Sequence, residues 1–129
     1  MSDGIVPGGG TALYRVSLEH RSEENTDASI ARDIVRIALQ APFIKILANA
    51  GVENWWEHTP TGSPNEVYDA KNHKTVDAFA AGIIDPAKVV ITAVLNAASV
   101  AGTILTTESV IFEKRDKDEK SPDPMSGMM

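Results

Sequence analysis

The sequence has 129 residues, of which 43% are hydrophobic and 23% are charged. This length and balance suit one folded domain with a modest core. The formal net charge of −6 argues against nucleic acid as a partner, because phosphate binding needs a basic face. The absence of cysteine excludes disulfides and cysteine-ligated metal sites. The first residues also lack the basic and apolar regions of a signal peptide.

The first half of the chain predicts two helices. The first covers residues 12–20 and is followed by a polar loop at 21–26. Thr26 or Asp27 can act as the N-cap of the second helix. Apolar residues in this second helix recur at intervals of four and three and define one helical face: Ile30, Ile34, Ile37, Ala41, Ile44 and Ala48.

Local signals also predict the end of the second helix and the elements after it. Pro42 should kink the helix, and Gly51 should cap its C-terminus. A short helix at 52–58 and a loop at 59–65 follow, the loop being rich in threonine, proline, glycine and serine. Residues 66–69 favour a short strand.

The last third of the chain predicts one long helix and one strand. Residues 75–81 are ambiguous, whereas a helix should run from 86 to about 105 and a strand from 109 to 113. A charge run occupies 114–120, and the tail at 121–129 should be disordered. The expected fold class is therefore mainly α, with a few short strands. There is no internal repeat and no linker that would divide a domain.

The long predicted helix is apolar enough to raise the question of a membrane span. No charged residue occurs between positions 89 and 107. The segment nevertheless contains six polar residues: Thr92, Asn96, Ser99, Thr103, Thr106 and Thr107. Lipid-facing spans avoid this much polarity, so a helix buried in a soluble protein is the preferred interpretation.

Two features are candidate ligand contacts. Gly8, Gly9 and Gly10 open the first helix, where free backbone amides can receive an anion or contact a sugar. No Gly-Lys-Ser/Thr follows, so this is not a P-loop, and a flexible turn or a tight helix crossing is the alternative. Asp85 is a candidate N-cap, with Pro86 as the first helical residue. A carboxylate can also accept hydrogen bonds from ribose hydroxyls.

Other chemistry-bearing residues favour structural interpretations. His20, His58 and His73 lack the spacing of metal ligands and are interpreted as surface residues. In the adjacent pair Trp55 and Trp56, one ring should pack and the other should be exposed. No serine lies in a Gly-x-Ser-x-Gly elbow. These patterns indicate a mainly helical domain with a possible anion site.

Several motifs, taken in chain order, give a more specific indication. They are GIVPGGGTAL (4–13), ALQAP (38–42), NAGVE (49–53), VYDA (67–70), AGIIDPAKV (81–89), NAASVA (96–101), LTTE (105–108) and a short tail containing Met125 and Gly127-Met128-Met129. Together they resemble the C-terminal part of the equatorial domain of group I chaperonins, the GroEL family. The resemblance runs from Gly4 to the end of the chain.

This resemblance implies a chaperonin equatorial-domain-like helical bundle at 1–114, followed by a charged, disordered tail at 115–129. It also implies ATP as the cofactor, with the adenosine side of its pocket formed by Gly8, Gly9, Gly10, Asp69, Ala70, Ile83 and Asp85. The strand predicted at 109–113 would pair with a neighbouring subunit of a homo-oligomeric ring. The compartment would be the cytoplasm or an organelle matrix.

Several parts of the family pattern lie outside this sequence. The phosphate-binding Gly-Asp-Gly-Thr-Thr loop and the aspartates that bind magnesium and activate water would all lie upstream of Met1. The domains that bind client proteins and co-chaperonin are also outside it. Phosphoryl transfer needs metal, positioned water and charge neutralisation together, so we expect no ATPase activity from this chain. The alternatives are a truncated fragment, a subunit-interaction module, or an unrelated nucleotide-binding domain.

Overall fold

The computed structural model describes residues 4–19 and 25–113. Its elements in chain order are β1 (Ile5–Pro7), α1 (Thr11–Glu19), α2 (Asp27–Asn49), a 3₁₀ turn (Trp55–His58), β2 (Glu66–Asp69), β3 (Lys74–Asp77), α3 (Ala78–Ala81), β4 (Ile84–Pro86) and α4 (Ala87–Leu105). The mainly helical class with a few short strands is confirmed. The charge run at 114–120, the tail, His20 and most of the predicted loop at 21–26 lie outside the described residues.

Helix α2 begins and ends where its local sequence predicts. The Thr26 side chain accepts a hydrogen bond from the Ser29 amide, and the Ser29 hydroxyl accepts one from the Thr26 amide, which forms a capping box. At the other end, Gly51 has φ +78°. The amide of Val52 donates to the carbonyl of Leu47 at 2.9 Å, and both side chains are buried. This is a Schellman ending with its hydrophobic contact.

The core lies where α1 crosses α2. Its buried residues are Tyr14, Phe43, Leu47, Val52 and Tyr68. The Tyr14 and Phe43 rings lie 4.8 Å apart, and burial raises the pKa of the tyrosine. A hydrogen bond of 3.1 Å from Gln40 Nε2 to Ser17 Oγ ties the same two helices together.

Of the apolar face predicted for α2, Ile44 packs against the core, but the other five residues are exposed. Ile30, Ile34 and Ile37 are 50%, 64% and 60% exposed, whereas Phe43 and Leu47 are 1% exposed. Phe43 and Leu47 belong to the buried core together with Tyr14 of α1 and with Val52, which follows α2. Periodicity identified an apolar face, but the packing partner decides which residues are buried.

Two antiparallel strand pairs complete the first part of the fold. In the hairpin of β2 and β3, Val67 lies opposite Val76 and Asp69 opposite Lys74. The strand predicted at 66–69 is therefore confirmed, and the ambiguous stretch after it divides into β3 and α3. Asp77 caps α3, since its carboxylate accepts from the Phe79 and Ala80 amides. The second pair joins β1 to β4 across most of the chain.

Helix α4 exists as predicted but is not a core helix of the described chain. Val89, Leu95, Val100 and Ile104 are each between 58% and 65% exposed, which corrects the expectation of burial. By length and composition α4 also qualifies as a membrane span, a test that a covered core helix passes as well. The preference for a helix in a soluble protein stays a prediction.

The strand predicted at 109–113 is absent: the residues form no strand in the described part of the chain. Ile111 is 98% exposed and Phe112 is 81% exposed. A strand needs a partner for its backbone groups, and no described strand pairs with this segment.

Contacts divide the chain into two compact units, Met1–Asn96 and Ala97–Met129, and the site residues below all belong to the first.

Candidate functional site

The glycine turn joins β1 to α1 and lies against the residue before β4. The Gly8 amide donates to the carbonyl of Ile83 at 2.8 Å. A Cβ on Gly8 would lie 3.1 Å from that carbonyl, and one on Gly9 would lie 3.9 Å from Ile83 Cγ2. Glycine therefore lets the turn approach the backbone of this segment closely.

The pairing of β1 with β4 brings the two sequence candidates together. Val6 lies opposite Asp85, and Pro7 lies opposite Ile84. Asp85 is half-buried and belongs to the strand next to the one that leads into the glycine turn. The turn and the carboxylate, about 75 residues apart in the chain, thus share one small antiparallel pair.

Asp85 does not occupy the N-cap position that its sequence context predicts. Helix α4 begins at Ala87, so both Asp85 and Pro86 lie in β4. The Ala87 amide instead donates to the carbonyl of Gly4 at 3.1 Å. Pairing with β1 takes precedence over the local capping signal.

Gly10 has a clear structural reason to be glycine. Its φ is +75°, and a Cβ there would lie 2.6 Å from the Phe43 amide nitrogen and 3.0 Å from the Pro42 carbonyl carbon. The tight helix crossing, which the sequence analysis gave as an alternative for the three glycines, is therefore found at Gly10. Gly8 and Gly9 face Ile83 instead.

Asp69 and Ala70 end the first strand of the hairpin. The Asp69 carboxylate accepts hydrogen bonds from the amides of Lys71 and Asn72, at 3.0 and 3.2 Å, and from Asn72 Nδ2 at 2.6 Å. The bond from the Asn72 side chain is the largest cause that lowers the pKa of Asp69. Ala70 is half-buried against the core. Within the described residues, the hydrogen bonds of Asp69 all go to its own turn.

The aromatic pair behaves as predicted, and one histidine has a specific contact. Trp55 packs against the core, and Trp56 is 60% exposed. His58 is half-buried and stacks on Tyr68, with ring centroids 4.2 Å apart. His73 is exposed.

Arg15 is the residue that sequence reasoning missed. Its Nη2 donates to the carbonyl oxygens of Ser63 and Glu66, the latter at 3.2 Å. When the packing partner of a helix is not known, an arginine on that helix is typical of a solvated face. The two acceptor carbonyls lie about 50 residues away in the sequence. No local signal could have found the contact.

Comparison with known proteins identifies the family of this chain. The sequence model of the TCP-1/cpn60 chaperonin family matches residues 1–115. The chain belongs to the TCP-1/cpn60 chaperonin family. The resemblance to its group I members is also confirmed, since chaperonins GroEL of Neorickettsia risticii and Neorickettsia sennetsu are each 42% identical over 132 residues. These alignments cover 98% of this chain and 24% of each relative.

A solved chaperonin shares the fold. The crystal structure of a group III chaperonin in the open state superposes with a TM-score of 0.72 and 29% identity, covering 84% of this chain and 24% of that one. This chaperonin chain thus spans about a quarter of the length of the relatives that it matches.

Proposed function

We propose that this chain is the C-terminal equatorial segment of an ATP-dependent protein-folding chaperonin, in which it supplies the adenosine side of the ATP pocket. The observation that carries the proposal is the pairing of β1 with β4. It sets the glycine turn against Ile83 and brings Asp85 beside the strand that enters the turn. A closely approachable backbone, an apolar side chain and a carboxylate are suited to a nucleoside.

Each residue of this pocket has a distinct proposed role. The backbone of Gly8 and Gly9 contacts the nucleotide. Gly10, beside them, lets the turn pack closely against α2. Asp85 accepts hydrogen bonds from the ribose hydroxyls. Ile83 packs on the base, and the turn at Asp69 and Ala70 approaches the adenine.

The chemistry of these residues fits adenosine and not the phosphates. The two ionisable residues proposed for the pocket, Asp69 and Asp85, are both carboxylates, and like charge repels an anion. The proposed pocket residues thus include no cation to neutralise a triphosphate. ATP is therefore proposed to bind with its phosphates and magnesium held by residues outside this chain, where the magnesium would stabilise the transferred phosphoryl group.

The partners follow from the same proposal. Other copies of the complete subunit would form a homo-oligomeric ring in the cytoplasm or an organelle matrix. Clients and co-chaperonin would bind only to domains outside this chain. Residues 1–114 would be the partial equatorial domain.

A second candidate is a subunit-interaction module without ATPase activity. The observation that favours it is the apolar segment after α4, where Val110, Ile111 and Phe112 are 64%, 98% and 81% exposed. An apolar stretch with free backbone groups is a template for strand pairing with another chain. Under this candidate the chain would dock on a complete chaperonin and would bind no nucleotide.

Calorimetric titration with ADP tests the first proposal against the second. We expect Asp85→Ala to weaken ADP binding about 10- to 100-fold, because the variant loses hydrogen bonds to a charged acceptor worth about 1.5–3 kcal/mol. Asp33→Ala is the matched control, since it removes a carboxylate that pairs with Arg36 on α2. Equal affinities for the two variants would contradict the role of Asp85. A folded chain that binds no ADP would show that this chain does not form the adenosine site without the residues outside it.

A further inference from the structure

Arg15 on α1 contacts a segment of the chain far from its own helix. Nη2 reaches from α1 to the carbonyls of Ser63 and Glu66, at the start of the hairpin. Its Nε is buried and, among the described residues, has no hydrogen-bond partner. A buried unpaired donor is costly, so the two carbonyl contacts must hold the guanidinium in this position.

A chain of backbone hydrogen bonds leads from this contact back to the glycine turn. The amide of Ala78, which is fully buried, donates to the carbonyl of Asn65 at 2.8 Å. The Ile83 amide donates to the Ala78 carbonyl at 2.8 Å, and the Gly8 amide donates to the Ile83 carbonyl at 2.8 Å.

Helix α1 closes this path into a ring. It starts just after Gly8, with the Thr11 amide donating to the Gly8 carbonyl at 3.2 Å, and it carries Arg15 one turn further on. The path from Gly8 through Ile83 and Ala78 to Asn65 continues along the backbone to Ser63 and Glu66, whose carbonyls accept from Arg15. We call this closed path the Arg15 ring. Ile83 is therefore fixed against the glycine turn both directly and through the hairpin.

We propose that Arg15 is a positioning residue. It holds Ile83, one wall of the proposed pocket, at a fixed place against the glycine turn. The guanidinium adds a polar tie between α1 and the start of the hairpin to the apolar packing of Tyr68 in the same core cluster as Tyr14. That the positioned wall receives adenosine rests on the proposed function. That Arg15 sets the position of the wall does not, because the contacts join residues of this chain alone.

Amide hydrogen exchange in the ligand-free chain tests the inference. We expect Arg15→Met to speed exchange of the Gly8 and Ile83 amides about tenfold, because local opening of the ring loses hydrogen bonds from a charged donor. The Val52 amide, which donates to Leu47 at the end of α2, should keep its rate. Arg36→Met is the matched control, since Arg36 pairs with Asp33 on α2 and takes no part in the Arg15 ring.

Equal exchange of the Gly8 and Ile83 amides in the Arg15 and Arg36 variants would overturn the inference. A rise of similar size at Val52 would also overturn it, because Arg15 would then be a general stabiliser. Arg15→Lys keeps the charge without the planar fork, and we expect a smaller rise at the same two amides with the unfolding midpoint near that of the wild type. If Arg15→Met does not fold, unchanged exchange in Arg15→Lys is the contradicting result.

ADP titration of the same variants separates this inference from the proposed function. If the wild-type chain binds ADP, Arg15→Met should weaken binding severalfold and Arg36→Met should not. If the wild-type chain binds no ADP but the two amides exchange faster in Arg15→Met, the proposed function fails in this chain and the positioning role stands.

Discussion

Replacing Gly10 with alanine should lower the free energy of unfolding by about 3 kcal/mol. Two costs add at this position. A left-handed conformation costs an L-residue about 1–2 kcal/mol, and forcing a methyl group into a filled space costs about 1–3 kcal/mol more. The new Cβ would meet the backbone of Phe43 at 2.6 Å, and that backbone belongs to a helix and cannot swing away. Urea denaturation measures the loss.

Gly51→Ala separates the two costs. Gly51 has φ +78°, but a Cβ there would meet nothing within 4 Å. This control should therefore lose only the conformational part, about 1–2 kcal/mol. Equal losses for the two variants would show that α1 and α2 do not cross closely at Gly10.

The second large effect is expected at Phe43, the largest of the fully buried side chains in the described part of the chain. The ring is 1% exposed and contacts Tyr14. Phe43→Ala should lower the free energy of unfolding by about 3–5 kcal/mol, because it removes buried surface and leaves a cavity. Because this loss is a large share of the stability of a small domain, the unfolding midpoint in urea should fall steeply.

Ile34→Ala is the matched comparison on the same helix. The Ile34 side chain is 64% exposed, so its loss should change stability by no more than about 0.5 kcal/mol. If Ile34→Ala proved as costly as Phe43→Ala, the isoleucine face of α2 would be buried in solution, for instance against another copy of the chain. The burial pattern described for α2 would then be wrong.

Elements governed by local signals could be predicted from the sequence. The Thr26 cap, the Gly51 ending of α2 and the strand at 66–69 each depend on residues close in the chain. The same holds for α4, whose length follows from an uninterrupted helical stretch. These signals act through nearby backbone hydrogen bonds, so a single sequence contains them.

Features decided by distant packing could not be predicted in this way. Which face of α2 is buried depends on where α1 crosses it, and the segment at 109–113 lacks a strand to pair with among the described residues. Asp85 carries a good capping signal, yet β1 draws it into a strand. The contacts of Arg15 join residues about 50 positions apart, and no local sequence pattern predicts them.

The candidate site shows the same division. The sequence marks the glycine turn and Asp85 as separate weak candidates, and the family resemblance implies that they share one pocket. The structure adds the pairing that brings them together and the separate reason for Gly10. Their role toward a nucleotide stays a proposal.

The most direct test of the adenosine pocket is an amide-resolved NMR titration of the chain with ADP. The proposal predicts that the signals of Gly8, Gly9, Ile83 and Asp85 shift together and saturate at one affinity, while Ser29 on α2 does not move. Adenosine should compete with ADP, and inorganic pyrophosphate should not. Saturation that leaves Gly9 and Ile83 unmoved, or a folded chain in which no signal shifts, would contradict the proposed pocket.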